Sequence, residues 1–159
     1  MLGYRLRPAS AGDAEEVAAI WLAGWRESHL GQVPAALAAA RTPESFSLRA
    51  AQRVGDTTVA VAGETVAGFV MISGDEVEQV YVSPNHRGTG VAAALLAEAL
   101  RQIAAAGHRQ SWLAVIAGNA RARRFYERSG WTDEGAFDYQ ARTADGMILV
   151  RCHRYVRRS

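Results

Sequence analysis

The chain has 159 residues, 49% hydrophobic and 21% charged, a balance that suits one folded domain with a sizeable core rather than a disordered tail. Its net charge is only +2, and its 18 basic residues are all arginines spread along the chain, which argues against the concentrated basic face of a nucleic-acid binder. A single cysteine, Cys152, excludes an internal disulfide and a multi-cysteine metal centre.

Tyr4 to Arg7 alternates aromatic, Arg, Leu and Arg, which predicts a short strand stopped by Pro8. Ser10 or Asp13 is placed to cap a helix, with Glu15 and Glu16 in its first turn, where the dipole favours acids. Along that helix Val17, Ile20, Trp21, Gly24 and Trp25 recur at helical spacing until His29 and Gly31. Two short helices follow, Pro34 to Ala40 and Pro43 to Gln52, each opened by its proline. Thr57–Ala62 and Val66–Ser73 read as strands joined by Gly63-Glu64, and Gly74-Asp75 turns into a third, Glu76–Val82. After a glycine turn, Val91, Leu95, Ala99 and Ile103 mark one face of a helix of about five turns, ending at Ala106 and stopped by Gly107. Ser111–Ile116 is an apolar run that fits a buried strand. Gly118-Asn119 opens a shorter helix through Ser129, closed by Gly130. Extended segments from Trp131 and over Phe137–Ala141 precede an Asp145-Gly146 turn into a last strand, Met147–Tyr155; Arg157-Arg158-Ser159 reads as a frayed tail. The expectation is one α/β domain of the α+β type over residues 1–159. Its sheet should be mixed but mostly antiparallel, with about six to seven strands and helices on both faces.

The stretch from Glu76 to Ala92 carries the first chemistry. A strand runs into Ser83-Pro84-Asn85-His86, then Arg87-Gly88-Thr89-Gly90-Val91-Ala92 opens the long helix. Two glycines and a small residue let backbone N–H groups converge at the positive end of a helix, which suits a phosphate. It is not a Walker loop, because no Gly-Lys-Ser/Thr follows, and it lacks the third glycine of a dinucleotide fingerprint. A plain structural turn is the competing reading of the same residues.

Downstream stands Asn119-Ala120-Arg121-Ala122-Arg123-Arg124-Phe125-Tyr126-Glu127-Arg128-Ser129-Gly130-Trp131. This resembles the second signature of the GNAT superfamily of N-acetyltransferases: Asn, Ala, an apolar-Tyr-Glu triplet, then Gly and an aromatic. The Arg87–Ala92 stretch resembles that family's acetyl-CoA signature, Arg/Gln-x-x-Gly-x-Gly/Ala after a strand. Their order, their spacing and the Arg-Pro-Ala before an Asp-capped helix extend the likeness over essentially the whole chain, except residues about 26–55, where such families vary most.

The resemblance implies acetyl-CoA as cosubstrate and transfer of its acetyl group to a primary amine of a small molecule or peptide. Backbone N–H groups of Arg87, Gly88, Thr89, Gly90, Val91 and Ala92 would hold the CoA pyrophosphate. Val80, Tyr81 and Val82 would take the pantetheine arm like an added strand, with the Val82 N–H polarising the thioester carbonyl. A bulge in that strand is usual in the family, and the sequence does not reveal one. Asn119 would bind pantetheine, although a helix N-cap needs the same residue; Ala122 and Phe125 complete the cofactor side. Tyr126 would protonate the leaving thiolate, against the ordinary role of a core tyrosine. Glu76, ahead of Glu78, aligns with the strand glutamate that takes the ammonium proton in part of the family; both also fit a half-exposed strand as solvated carboxylates. Trp25 and His29 fall on one helix face near the acceptor side, where core packing for one and satisfaction of the helix C-terminus for the other compete with substrate contact.

Among the arginines of the second signature most should be solvated and one or two could pair with CoA phosphates. His86, His108 and His153 lack metal-ligand spacing, so no metal is expected, and Cys152 reads as a small apolar residue. Neither nucleic acid nor membrane is expected as a partner, and the protein should be a cytoplasmic monomer or homodimer. Two other classes compete: a catalytically inactive acyl-CoA-binding sensor or scaffold, and a partner-binding domain with no CoA site.

Overall fold

The structure is a computed structural model describing residues 3–158. Seven strands form one sheet: β1 Arg5–Pro8, β2 Thr57–Ala62, β3 Thr65–Ser73, β4 Glu76–Val82, β5 Gln110–Ile116, β6 Thr132–Thr143 and β7 Gly146–Arg158. Five α-helices accompany them: α1 Ala14–His29, α2 Ala35–Ala40, α3 Pro43–Gln52, α4 Val91–Ala105 and α5 Ala120–Arg128. The strand order is β1-β2-β3-β4-β5-β7-β6. Every neighbouring pair is antiparallel except β4 with β5. The mixed sheet, its strand number and its antiparallel bias are as the sequence pattern predicts.

Period-two patterning divides the core into two layers. On β2 and β3, Val59, Val61, Phe69 and Met71 join Val17, Trp21, Trp25 and Phe46 on one face. Ala60, Ala67 and Val70 point to the other face, onto Val91, Leu95, Ala99 and Ile103 of α4. Leu95 and Ile103 have no exposed surface, and burying such a side chain contributes about 1.5–3 kcal/mol each. Both helix stripes therefore face the sheet as their spacing requires.

Several boundaries differ from expectation for local reasons. Pro8 is the last residue of β1, which an edge strand tolerates because one side of its backbone needs no partner. The α4 helix spans 15 residues, about four turns, and stops where Gly107 takes φ 99°. β7 runs through Arg157 and Arg158, which pair with Ser111 and Gln110, so these two arginines are not a frayed tail; Ser159 lies outside the described residues.

Two irregularities position the site. Met71 stands opposite Gln79 but Ile72 stands opposite Val77, so Glu78 is an extra residue, a bulge in β4. Beyond it β4 and β5 diverge: their pairing is confined to Glu76 with Trp112, beside the Trp112 N–H bond to the Asp75 carbonyl at 3.0 Å. Two parallel strands that part after one contact leave a slot with unpaired backbone on both walls.

Candidate active site

The slot widens into a cleft of about 1140 Å³ whose walls include β4, β5, the end of α1 and the β6 hairpin arm. Register decides what its β4 wall presents. The Ser83 N–H donates to the Ala67 carbonyl at 2.8 Å, and an antiparallel ladder alternates hydrogen-bonded and open pairs. Val82, opposite Gly68, and Val80, opposite Val70, are thus open pairs whose N–H and C=O groups face away from β3, into the slot. Tyr81 turns its ring toward α1, where a Cβ on Gly24 would collide with it. That glycine lets the helix backbone lie directly against the tyrosine.

Across the slot, Asn119 Oδ1 accepts the Ala122 N–H at 3.2 Å and caps α5. Tyr126, Val80, Tyr81, Asn119 and Ala122 all line the cleft. Tyr126 is also a core residue, 8% exposed, packed edge-on against Phe125 and Trp131 with centroids 5.3 and 5.9 Å away. Burial, helped by the nearby Tyr81, drives its hydroxyl well above the ordinary tyrosine range, so it stays protonated at neutral pH.

At the carboxyl end of β4, Pro84–His86 form a single 3-10 turn, and Gly88 and Gly90 take φ 74° and 87°. Only glycine adopts such angles cheaply, and Gly90 is the N-cap of α4. The first-turn N–H groups of α4 have no intrahelical acceptor. Val91 anchors the turn in the core while Arg87 to Gly90 remain exposed. The Arg87 guanidinium is engaged by both carboxylate oxygens of Glu27 on α1, so at this turn the backbone rather than that side chain is open to an anion.

The opposite end of the cleft is polar and partly buried. The Tyr139 hydroxyl donates to Glu76 Oε2 at 2.6 Å, and burial raises the Glu76 carboxyl to about 7 despite that bond. Glu78 is instead paired with Arg53 Nη1 at 2.7 Å. Arg53 also donates to Asp56 at 2.9 Å and to the Ile72 carbonyl at 3.3 Å. The bulge thus leaves Glu76 and Glu78 on one wall with different partners. His29 stacks on Trp25 at 4.9 Å, and burial lowers it to about 4, so it is neutral near pH 7 and contributes no charge to the helix C-terminus.

Every predicted residue of the acceptor and thioester region except Val82 and Phe125 lines one cleft; Val82 and the Arg87–Ala92 turn lie beyond its end. Of the second-signature arginines, Arg121, Arg124 and Arg128 are exposed, whereas Arg123 is held within the protein. It bonds Tyr155 Oη at 3.1 Å, the Ala117 carbonyl at 3.1 Å and Asp133 at 3.3 Å, tying α5 to β6 and β7. Cys152 is buried and its thiol is pushed up to about 11, as a small core residue should be. Sequence reasoning missed Tyr139, Arg41 and Arg49, which all line the cleft. Arg49 lay open to detection, because it follows Phe46 by one helical turn on the buried face of α3. Tyr139 lay hidden in an alternating strand.

The acetyltransferase (GNAT) family matches residues 15–131. An uncharacterized N-acetyltransferase of Mycobacterium bovis and one of Mycobacterium tuberculosis are each 35% identical over 95 residues, 56% of this chain. The match spans 61% of the length of those relatives. The PaiA N-acetyltransferase of Thermoplasma acidophilum, solved in complex with coenzyme A, superposes with TM-score 0.77 at 17% identity, covering 99% of this chain and 100% of that one. YncA of Salmonella typhimurium, solved with its cofactor acetyl-CoA, gives 0.71 at 16% identity over 98% and 94% of the two chains. At such identities the likeness is one of fold.

Proposed function

The chain belongs to the GNAT acetyltransferase family, and from that premise we propose that it transfers the acetyl group of acetyl-CoA directly to a primary amine. The observation that carries this reading is the slot itself. The backbone of Val80 and Val82 is turned away from β3, and β5 has parted from β4, so an extended pantetheine arm finds donors and acceptors along one wall. At its end, the glycine turn supplies N–H groups and the positive end of α4 to the pyrophosphate.

The residues then take these roles. Glu76, raised toward neutrality by burial, removes a proton from the acceptor ammonium. The amine nitrogen attacks the thioester carbonyl carbon, and the Val82 N–H stabilises the oxyanion that forms. As the C–S bond breaks, Tyr126 gives its proton to the leaving sulfur, and the nitrogen sheds its second proton to solvent, from which Tyr126 is reprotonated. Asn119 keeps its capping role and presents its side chain to the cofactor. Glu78, neutralised by Arg53, holds the wall in place. No covalent enzyme intermediate is needed, since Cys152 is buried in thiol form.

Acetyl-CoA at 100 times its dissociation constant should stabilise the protein by about 2.7 kcal/mol, seen as a rise in Tm. Amine-dependent release of CoA thiol should accompany it, and Tyr126→Phe should lower kcat by about 100-fold with little change in acetyl-CoA affinity. A shift in Tm with no thiol release from any amine would indicate a binding protein, and no shift at all would remove the CoA site. Full activity in Tyr126→Phe would take the acid role from that residue.

A further inference from the structure

The polar end of the cleft holds two arginines, Arg41 and Arg49, that form no ion pair among the described residues. Among the described residues only two charged side chains are buried, Asp13 and Arg41, at 6% and 8% exposure. Asp13 has Arg7 at 2.7 Å. Arg41, at the C-terminus of α2, has no carboxylate or hydrogen-bond acceptor for its guanidinium among the described residues, and it lines the cleft. Arg49 stands beside it. Its guanidinium lies over the Trp21 ring at 4.2 Å, yet Nη1 is buried with no hydrogen-bond partner among the described residues. The carboxylates on the same wall are already engaged: Glu78 by Arg53, and Glu76 by the Tyr139 hydroxyl.

Burying an unpaired cation is costly, and a buried donor without an acceptor adds to that cost. Burial accordingly pulls both guanidinium groups below their ordinary range, Arg49 to about 10, and Arg41 adds to the shift at Arg49. A planar guanidinium pair matches the two oxygens of a carboxylate, with charge-assisted bonds. Arg41 is also within Coulombic reach of Tyr139, the residue that holds Glu76.

We infer that the amine acceptor also carries a carboxylate, which Arg41 and Arg49 bind while its ammonium faces Glu76. This rests on the acetyl-transfer reading above and narrows it to amino acids as a substrate class. An acceptor of that kind brings a carboxylate against the guanidinium groups that line the cleft and neutralises charge that no protein carboxylate pairs among the described residues. A simple alkylamine or polyamine would instead bring further positive charge against the same two arginines.

Acetyl-CoA-dependent thiol release is measured on the proteinogenic amino acids, β-alanine and γ-aminobutyrate, and on the carboxamide of each. At least one acid should exceed its amide in kcat/KM, on the order of 30-fold or more. Arg41→Gln should abolish that preference through KM. The same variant should melt higher than the parent without substrate, because an unpaired buried charge has gone; a merely structural arginine would melt lower when replaced. The inference is overturned if amides serve as well as acids, if phosphoethanolamine outruns every acid, or if Arg41→Gln keeps the parent KM. Should no amine release thiol while acetyl-CoA still raises Tm, acetyl transfer fails on its own account. The carboxylate site is then judged by melting the CoA complex with acids against amides: a shift with an acid alone supports it, and no shift with any acid overturns it.

Discussion

Glu76 is the residue whose environment says most about chemistry. Its carboxyl is raised to about 7, chiefly by burial, with the Tyr139 hydrogen bond pulling the other way. A general base must be ionised, so kcat/KM should climb with pH through a limb near 7, and Glu76→Gln should lower it by about 100-fold or more and flatten the limb. Tyr139→Phe removes a bond that favours the carboxylate, so the limb should move to higher pH. A pH-rate profile of the three proteins checks both statements. The stability consequence has a definite sign. The folded state holds this proton more tightly than the unfolded chain, so Glu76 costs stability progressively as pH rises from the ordinary carboxylate range to about 7. His29 gives the reverse lesson: a histidine at a helix C-terminus looks ready to carry charge, but burial, with the Arg41 charge nearby, keeps it neutral.

At the scale of elements, the slot depends on how α1 and β4 meet. Gly24 is buried in α1 because the Tyr81 ring occupies the space a side chain would need. Gly24→Ala should destabilise the protein by about 1–3 kcal/mol through overpacking, measured by urea denaturation. It should also weaken acetyl-CoA binding, since Tyr81 and the open backbone of Val80 and Val82 move as one strand. A mutation of equal cost in the other core layer, such as Ile103→Val, should leave the affinity unchanged. The start of α1 is held to β1 by Asp13, whose carboxylate accepts from Arg7 at 2.7 and 3.0 Å and from the Ser10 N–H at 2.8 Å. The Arg7 hydrogen bond is the main cause of its lowering to about 2, and burial opposes it. Its contribution is therefore present above the usual aspartate range and is lost as pH falls through about 2. Asp13→Asn should melt below the parent at pH 7, with the gap closing in acid.

Over the whole molecule, the site is assembled by sheet curvature. Tyr139 on β6 reaches Glu76 on β4, three positions away in the strand order. On a flat sheet those strands would stand about 14 Å apart, so the β6–β7 arm must curl back over the slot. α2 and α3 close the other side with Arg41, Arg49 and Arg53. The cleft thus draws on stretches far apart in the chain, with α1, α2, α3, β4, β5, α5 and β6 all in its walls. Core burial on both faces of β2 and β3 holds that arrangement, while the unpaired stretch between β4 and β5 is the part left for a ligand.

Periodicity and turn chemistry were enough to find the helices, the meander and the glycine turn, because those depend on residues a few positions apart. The α4 stripe of Val91, Leu95, Ala99 and Ile103 and the Gly88-Gly90 pair need only local geometry to be understood. The two signatures placed Asn119 and Tyr126 against β4 by likeness to a family, and both line the cleft. Nothing local marks Glu78 as the extra residue, since a bulge is a relation between two strands. Nor does any spacing link Tyr139 to Glu76, or reveal that Arg123 braces three elements while Arg41 has no ion-pair partner among the described residues. Charge pairing and burial are properties of space, set by how the sheet twists and which helices cover it, and only the folded chain could decide them.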